Sequence, residues 1–235
     1  MKHRQLSQCD EYKVRRAGDT GLGEFKVLLI GNSITRHGVS EKTVSELKWS
    51  HVSGMAASSE EADYAHLLAK KLGSAMPGRN VKLFYHNGGG GGAIRQRLSA
   101  VGEVSGLRPD LVVIQLGEHE AEGGDGDALY SDYKMLIKAF DAQRPRPLVI
   151  CTGLWDPDQA PRYGGWRLMV ENIMKQASRE VGVPFVSVED LAVDPACHGA
   201  GSHDGVRWHP NDKGHRGYAE RIFAAWDGAE TDSDK

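Results

Sequence analysis

The sequence predicts a three-layer α/β/α domain, an open parallel five-stranded sheet with helices on both faces. Apolar runs rich in β-formers recur at 26–30, 81–85, 111–116, 148–151 and 184–188. None alternates polar with apolar residues, as strands covered on both faces require. Between successive runs lies enough chain for a helical crossover, and repeated β-then-α units build a parallel sheet. A chain of 235 residues, 40% hydrophobic and 26% charged, is long enough to bury one generous core.

The helices come next, in chain order. Ser58 and Glu61 form a capping-box pattern ahead of ADYAHLLAKKL, with Gly73 as its stop. Further helices are expected over 94–104, 130–142, 167–181 and 212–226. No internal repeat and no linker rich in Pro, Gly and Ser divides the chain. The domain is therefore expected over 25–227, after an N-terminal extension (1–24) and before an acidic tail (228–235).

Composition narrows the partners. A net charge of −3 gives no general case for nucleic acid or an anionic membrane. No apolar run approaches the ~18 residues of a membrane span, and the first two dozen residues lack a signal-like apolar stretch. Cys9, Cys151 and Cys197 are odd in number and lack CxxC spacing. They read as free thiols, with cytoplasm as the expected compartment. Homo-oligomerisation is left open.

In open α/β sheets ligands bind beyond the carboxyl ends of the strands, so the residues just past each strand bear most on function. Gly31-Asn32-Ser33 comes after the first strand, and Asn87 with the pentaglycine Gly88–Gly92 after the second. Gly117-Glu118-His119-Glu120 comes after the third and Thr152-Gly153-Leu154-Trp155 after the fourth. A long loop with His198, His203, Asp204 and His209 lies beyond the fifth.

Each group has a chemical and a plainer reading. Ser33 at a strand-to-helix corner suits a nucleophile, which needs a base and oxyanion donors; it also suits a turn serine. GNS is not the GxSxG elbow. The glycines suit close backbone approach or a surface loop. They fit GxGxxA, but Asp110 precedes its strand and so does not complete a dinucleotide fingerprint, and no GK[ST] is present after them. His209 is the natural base for Ser33, or a helix-capping histidine. Asp204 either orients it or belongs to a turn. His198, His203, Asp204, His209 and His215, with Glu118, His119 and Glu120, offer metal-ligand types at spacings that match no zinc signature.

In combination these blocks resemble the SGNH (GDSL-type) hydrolase superfamily. Gly31-Asn32-Ser33-Ile34 resembles its GDS(L/I) block with Asn for Asp, and Asn87 to Ala93 resembles the second block. Gly117 to Glu120 occupies the place of GxND, and Trp208-His209-Pro210-Asn211 resembles the end of DxxHPN. The similarity spans about Phe25 to Trp226. Gly54-Met55-Ala56-Ala57-Ser58-Ser59 is similar to a branch with a long insert after the first block. Residues 36–54, with Trp49 and His51, are then either a wall over Ser33 or a surface loop around a buried tryptophan.

The resemblance implies a flavodoxin-like sheet and a serine ester hydrolase working through an acyl-enzyme without a cofactor. Ser33 would attack and His209 act as base and then acid. Asp204, displaced from the DxxH spacing, or a main-chain carbonyl would orient His209. The N–H groups of Ser33 and Gly92 would form the oxyanion hole, with His119 in place of the family's asparagine. A small or carbohydrate ester carrying a short acyl group, acetyl above all, is the implied substrate. Asn32, Glu118, Trp208 and Trp155 are candidates to contact it, and Trp49 and Trp166 are further aromatic faces. An impaired binding module and a metal-dependent hydrolase are the competing classes.

Overall fold

A computed structural model describes residues 9–12, 23–87, 91–157 and 165–233. Five parallel strands form the centre: β2 (Glu24–Gly31), β3 (Asn80–Asn87), β4 (Leu111–Gln115), β5 (Leu148–Thr152) and β6 (Phe185–Val186). Their order is β3-β2-β4-β5-β6, the 2-1-3-4-5 order of flavodoxin-like sheets. A further strand, β1 (Cys9–Tyr12), lies antiparallel to β3 at the edge. Part of the expected N-terminal extension thus belongs to the sheet.

Strand β2 shows why its sequence is apolar throughout. Val27 and Leu29 pack on one side of the sheet with Leu68, Leu72, Tyr218 and Ile222. Leu28 and Ile30 pack on the other with Leu136, Ile137, Val170 and Met174. The first side is covered by α1 (Tyr64–Ala75) and α8 (Asp212–Ser233), the second by α2 (Ile94–Ala100), α4 (Gly126–Lys138) and α5 (Trp166–Val181). Both faces exclude water, so no position on the strand favours a polar residue.

Several boundaries differ from expectation. Asp63, not Ser58, caps α1 by accepting the His66 N–H at 2.9 Å, and Gly73 lies inside that helix. Ser58 instead donates its N–H and hydroxyl to Asp212, at 2.7 and 2.6 Å. The segment expected as one helix over 94–104 divides into α2 and the short α3 (Gly102–Ser105). Helix α4 starts four residues early, where Asp125 accepts the N–H groups of Asp127 and Ala128. Helix α8 runs on to Ser233, through most of the expected tail. The short helices α6 (Glu189–Val193) and α7 (Asp204–Trp208) fill the stretch after β6. No helix among the described residues is long and apolar enough to cross a membrane.

Candidate active site

The corner after β2 is built by its own backbone. The Thr35 and Arg36 N–H groups both donate to the Asn32 carbonyl, at 3.0 and 2.9 Å. A β-carbon on Gly31 would run into the Thr35 side chain, so this turn requires glycine at its first position. Asn87, beside Gly31 in the sheet register, donates to the Asn32 and Arg36 carbonyls. The Ser33 carbonyl accepts the Met55 N–H at 2.9 Å, which pins the long insert to the corner. Within that insert Trp49 is buried between His37 and His51. The plainer reading, a loop around a buried tryptophan, describes Trp49.

Ser33 Oγ lies 2.7 Å from His209 Nε2. His209 sits between α7 and α8, and its Nδ1 is 2.5 Å from the Gly205 carbonyl oxygen. A carbonyl only accepts, so Nδ1 carries the proton and Nε2 presents its lone pair to the serine hydroxyl. Burial pushes the imidazole down to about 3, against a smaller upward effect of the Gly205 carbonyl. His215, His37 and His119 add to the depression. The ring is therefore neutral at pH 7, the form that can take a proton.

His209 is held from several sides. The Trp155 indole N–H donates to the Trp208 carbonyl at 2.5 Å, and the His209 carbonyl accepts the Gly199 N–H at 2.7 Å. Asn211 caps α8 through the Lys213 and Gly214 N–H groups, and its amide donates to the Ala196 and His198 carbonyls.

Asp204 is not part of this arrangement. Its exposed carboxylate pairs with Arg207, one turn along α7, while the backbone of the next residue meets the imidazole. The two extra residues in the loop start a helix at Asp204, and a helix start turns the carboxylate outward.

The second strand-end loop supplies backbone. Gly88 to Gly90 lie outside the described residues. The Gly92 carbonyl accepts the Asn32 amide at 2.9 Å, and the Gly91 carbonyl accepts Arg97 Nη2 at 2.9 Å. The same Nη2 donates to Asn32 Oδ1 at 2.6 Å. Glu120 accepts the Ile94 N–H at 2.7 Å, fixing the start of α2. The His119 ring packs on this loop, 3.0 Å from where a β-carbon on Gly91 would stand. Partial burial, then the Arg97 and Arg167 cations, hold His119 below its ordinary pKa.

Asn32 and Trp155, expected to contact substrate, are instead committed inside the fold. Asn32 is buried and its amide is used on Gly92 and Arg97. Trp155 is fully buried against Tyr218 and His198. Trp166, also buried, donates its indole N–H to the Glu120 carbonyl. Trp208 keeps partial exposure, edge-on to His209 and with Arg167 over its ring. Glu118 accepts from Gln115 Nε2 and the Trp155 N–H on one oxygen, at 2.7 and 3.1 Å. Its other oxygen is buried without a partner among the described residues, and burial pushes the carboxyl up to about 7.

The remaining histidines are engaged locally. His198 bonds the Ala192 carbonyl and His203 accepts the Gly205 N–H. His215 accepts the Tyr64 N–H and donates to the Met55 carbonyl. Among the described residues no group of three or more His, Cys, Asp or Glu side chains is placed to hold a metal ion.

Arg97 escaped the sequence reading because an arginine on a helix ordinarily belongs to its solvated face. The available signal was spacing: Ile94, Arg97 and Leu98 stand at i, i+3 and i+4, a buried stripe.

A serine and a neutral imidazole in contact at the carboxyl edge of a 2-1-3-4-5 sheet, beside a glycine loop, describe a hydrolase-type α/β domain. The chain belongs to the GDSL-like lipase/acylhydrolase family, which it matches over residues 29–216. Solved structures share the fold. The acetylxylan esterase Axe2 of Geobacillus stearothermophilus is 17% identical, with a TM-score of 0.60 over 88% of this chain and 96% of its own. The acetyl xylan esterase AlAXEase is 19% identical, with a TM-score of 0.59 over 86% and 99%. LAE5, an alpha/beta hydrolase from the metagenome of Lake Arreo, is 17% identical, with a TM-score of 0.59 over 86% and 94%. No curated protein sequence matches the chain.

Proposed function

We propose that the protein is a serine ester hydrolase that works through an acyl-enzyme and removes short acyl groups, acetyl first, from a carbohydrate or similar small ester. The observation that carries this reading is the hydrogen bond between Ser33 Oγ and His209 Nε2, with Nδ1 fixed on a carbonyl.

The chemistry is set by those atoms. Ser33 Oγ bonds to the ester carbonyl carbon as its proton passes to Nε2, and the carbonyl electrons move onto oxygen. The N–H groups of Ser33 and Gly92, with His119 beside them, meet that charge. Collapse breaks the bond to the alcohol, which leaves with the proton from Nε2. Water then gives a proton to the same nitrogen and attacks the acyl carbon; the bond from that carbon to Ser33 Oγ breaks, Oγ takes the proton back from Nε2, and the acid is released. The Gly205 carbonyl, in place of Asp204, keeps the imidazole in the productive tautomer. The acetyl and carbohydrate preference is supported only by the activities of the two acetylxylan esterases that share the fold and by the half-open Trp208 face.

A fluorophosphonate probe and a series of aryl esters test this. The native protein is expected to be labelled and to turn over acetyl esters best. Ser33→Ala should abolish labelling and lower kcat roughly a thousandfold or more. An unlabelled, inactive native protein would leave the non-catalytic binding module; activity that a chelator removes while labelling is absent would favour the metal-dependent class.

A further inference from the structure

We propose that Arg97 is an electrostatic positioning residue of the oxyanion pocket: a buried guanidinium, paired with no carboxylate among the described residues, that fixes and polarises the Gly91–Gly92 peptide. This rests on the ester-hydrolase reading and extends it to a residue that touches neither substrate nor Ser33.

The geometry supplies the first part of the argument. The carbonyl of Gly91 and the N–H of Gly92 belong to one trans peptide, in which the two groups point in opposite directions. Arg97 Nη2 holds that carbonyl at 2.9 Å, so the Gly92 N–H is turned to the face away from the guanidinium. The next carbonyl, that of Gly92, is held by Asn32 Nδ2 at 2.9 Å, and Asn32 Oδ1 is itself held by Arg97 at 2.6 Å. One cation therefore secures the peptides on either side of Gly92, in a run of glycines whose backbone is otherwise free to rotate. A β-carbon on Gly92 would meet Arg97 Nη2 at 2.6 Å, so the loop and the arginine are fitted to each other.

The second part is charge. Arg97 is only 1% exposed, and buried cations are ordinarily paired. Among the described residues its partners are an amide oxygen and a carbonyl, and its Nε has none. Negative charge that would balance it arises when the tetrahedral oxyanion forms. An interaction of that kind favours the transition state over the bound ester and raises kcat rather than lowering KM. A guanidinium on the Gly91 carbonyl also draws electron density through the peptide and strengthens the Gly92 N–H as a donor.

Asn32 is what keeps the cation unbalanced. An aspartate there would neutralise Arg97 and would face the Gly92 carbonyl with an oxygen instead of a donor. The amide serves both partners; a carboxylate serves one and repels the other. Asparagine within Gly31-Asn32-Ser33 thus has a physical reason in the arginine across from it.

Arg97→Met, Arg97→Lys and Asn32→Asp are compared with the native enzyme. The assays are acetyl-ester kinetics, inhibition by an aryl boronic acid (a tetrahedral anion on the serine), fluorophosphonate labelling and thermal melting. Arg97→Met and Asn32→Asp should lower kcat by roughly tenfold to a hundredfold, the scale of a lost oxyanion interaction. KM should change by less than about threefold, and boronate affinity should fall in step with kcat. Arg97→Lys, which keeps the charge, should recover part of both. Asn32→Asp keeps Arg97 and its packing while neutralising its charge, so it decides the matter if Arg97→Met does not fold. Folded variants that keep native kcat and boronate affinity would overturn the proposal, as would a loss of kcat with boronate affinity unchanged. A native protein that is neither labelled nor active would instead overturn the esterase reading on which it rests.

Discussion

The pair Ser33–His209 is held by a neutral partner, and that has consequences for pH. A carboxylate beside Nδ1 would stabilise the imidazolium; the Gly205 carbonyl does so more weakly, and burial prevails. In the proposed reaction His209 must be neutral to accept the serine proton, so activity is lost as pH falls through its pKa. Because that pKa is depressed, the acid limb of kcat/KM should lie below the ordinary histidine value of about 6.5. A limb at or above 6.5 would contradict the buried, carbonyl-oriented ring. For the same reason Asp204→Asn should leave kcat/KM within about threefold, since it removes only an exposed ion pair. A hundredfold loss would show that Asp204 reaches the ring. The contact of Ser33 with His209 is legible in the sequence because strand ends in this fold class converge. Of the two orienters expected for His209, Asp204 or a main-chain carbonyl, the ring meets the second; that Gly205 supplies it is not legible, because a main-chain carbonyl leaves no side-chain signature. Arg97 was hidden because burial of a charge is a property of neighbours rather than of the residue.

Between elements, the site is tied together by groups that do not face it. Gln115 at the end of β4 bonds Glu118, Glu118 accepts the Trp155 N–H beyond β5, and Trp155 donates to the Trp208 carbonyl next to His209. Trp155→Phe keeps an aromatic ring but leaves that carbonyl without its donor. It should cost about 1–3 kcal/mol of stability, read by denaturant unfolding, and lower kcat more than it raises KM. Unchanged stability and kcat would mean that the chain of bonds does not hold His209. Glu118 offers a second test. Its raised pKa means that the folded state keeps a proton the unfolded chain releases. Its contribution is therefore full below about 4.5 and lost as pH rises through about 7. Glu118→Gln cannot ionise, so its melting temperature relative to native should improve between pH 5 and pH 8. A constant difference would show that Glu118 is already ionised in the fold. The strands were legible because two-sided burial leaves an apolar run. Helix starts were less so: Ser58 fitted a capping box, but Asp212 in the last helix engaged it across the fold. Local patterning does not record such a partner.

Across the whole molecule, the proton balance favours neutral pH. His209, His86, His215, His37 and His119 all have pKa values lowered chiefly by burial. The folded state excludes protons that the unfolded chain takes up below about 6.5, so stability falls as pH drops through that range. Glu118, Glu120 and Glu171 act the other way, since burial raises them. Their contribution is lost as pH rises above the ordinary carboxylate value of about 4.5, for Glu118 through about 7. Among the described residues these five histidines oppose these three glutamates, so the expected net slope is toward lower stability in acid. Below about 4.5 the opposing glutamates no longer compensate, because the unfolded chain protonates too. There Asp190 and Asp194, held low chiefly by Arg221 and Lys213, add their own loss. The melting temperature should therefore be nearly level from about pH 7 to 8, decline from 6.5 to 5, and drop more steeply below 4.5. A maximum near pH 5 would mean that the buried glutamates, rather than the histidines, set the balance. Because the acid limb of activity is expected below that of histidine in water, loss of fold and loss of turnover should approach each other in acid. Melting and kcat/KM measured on the same samples separate them.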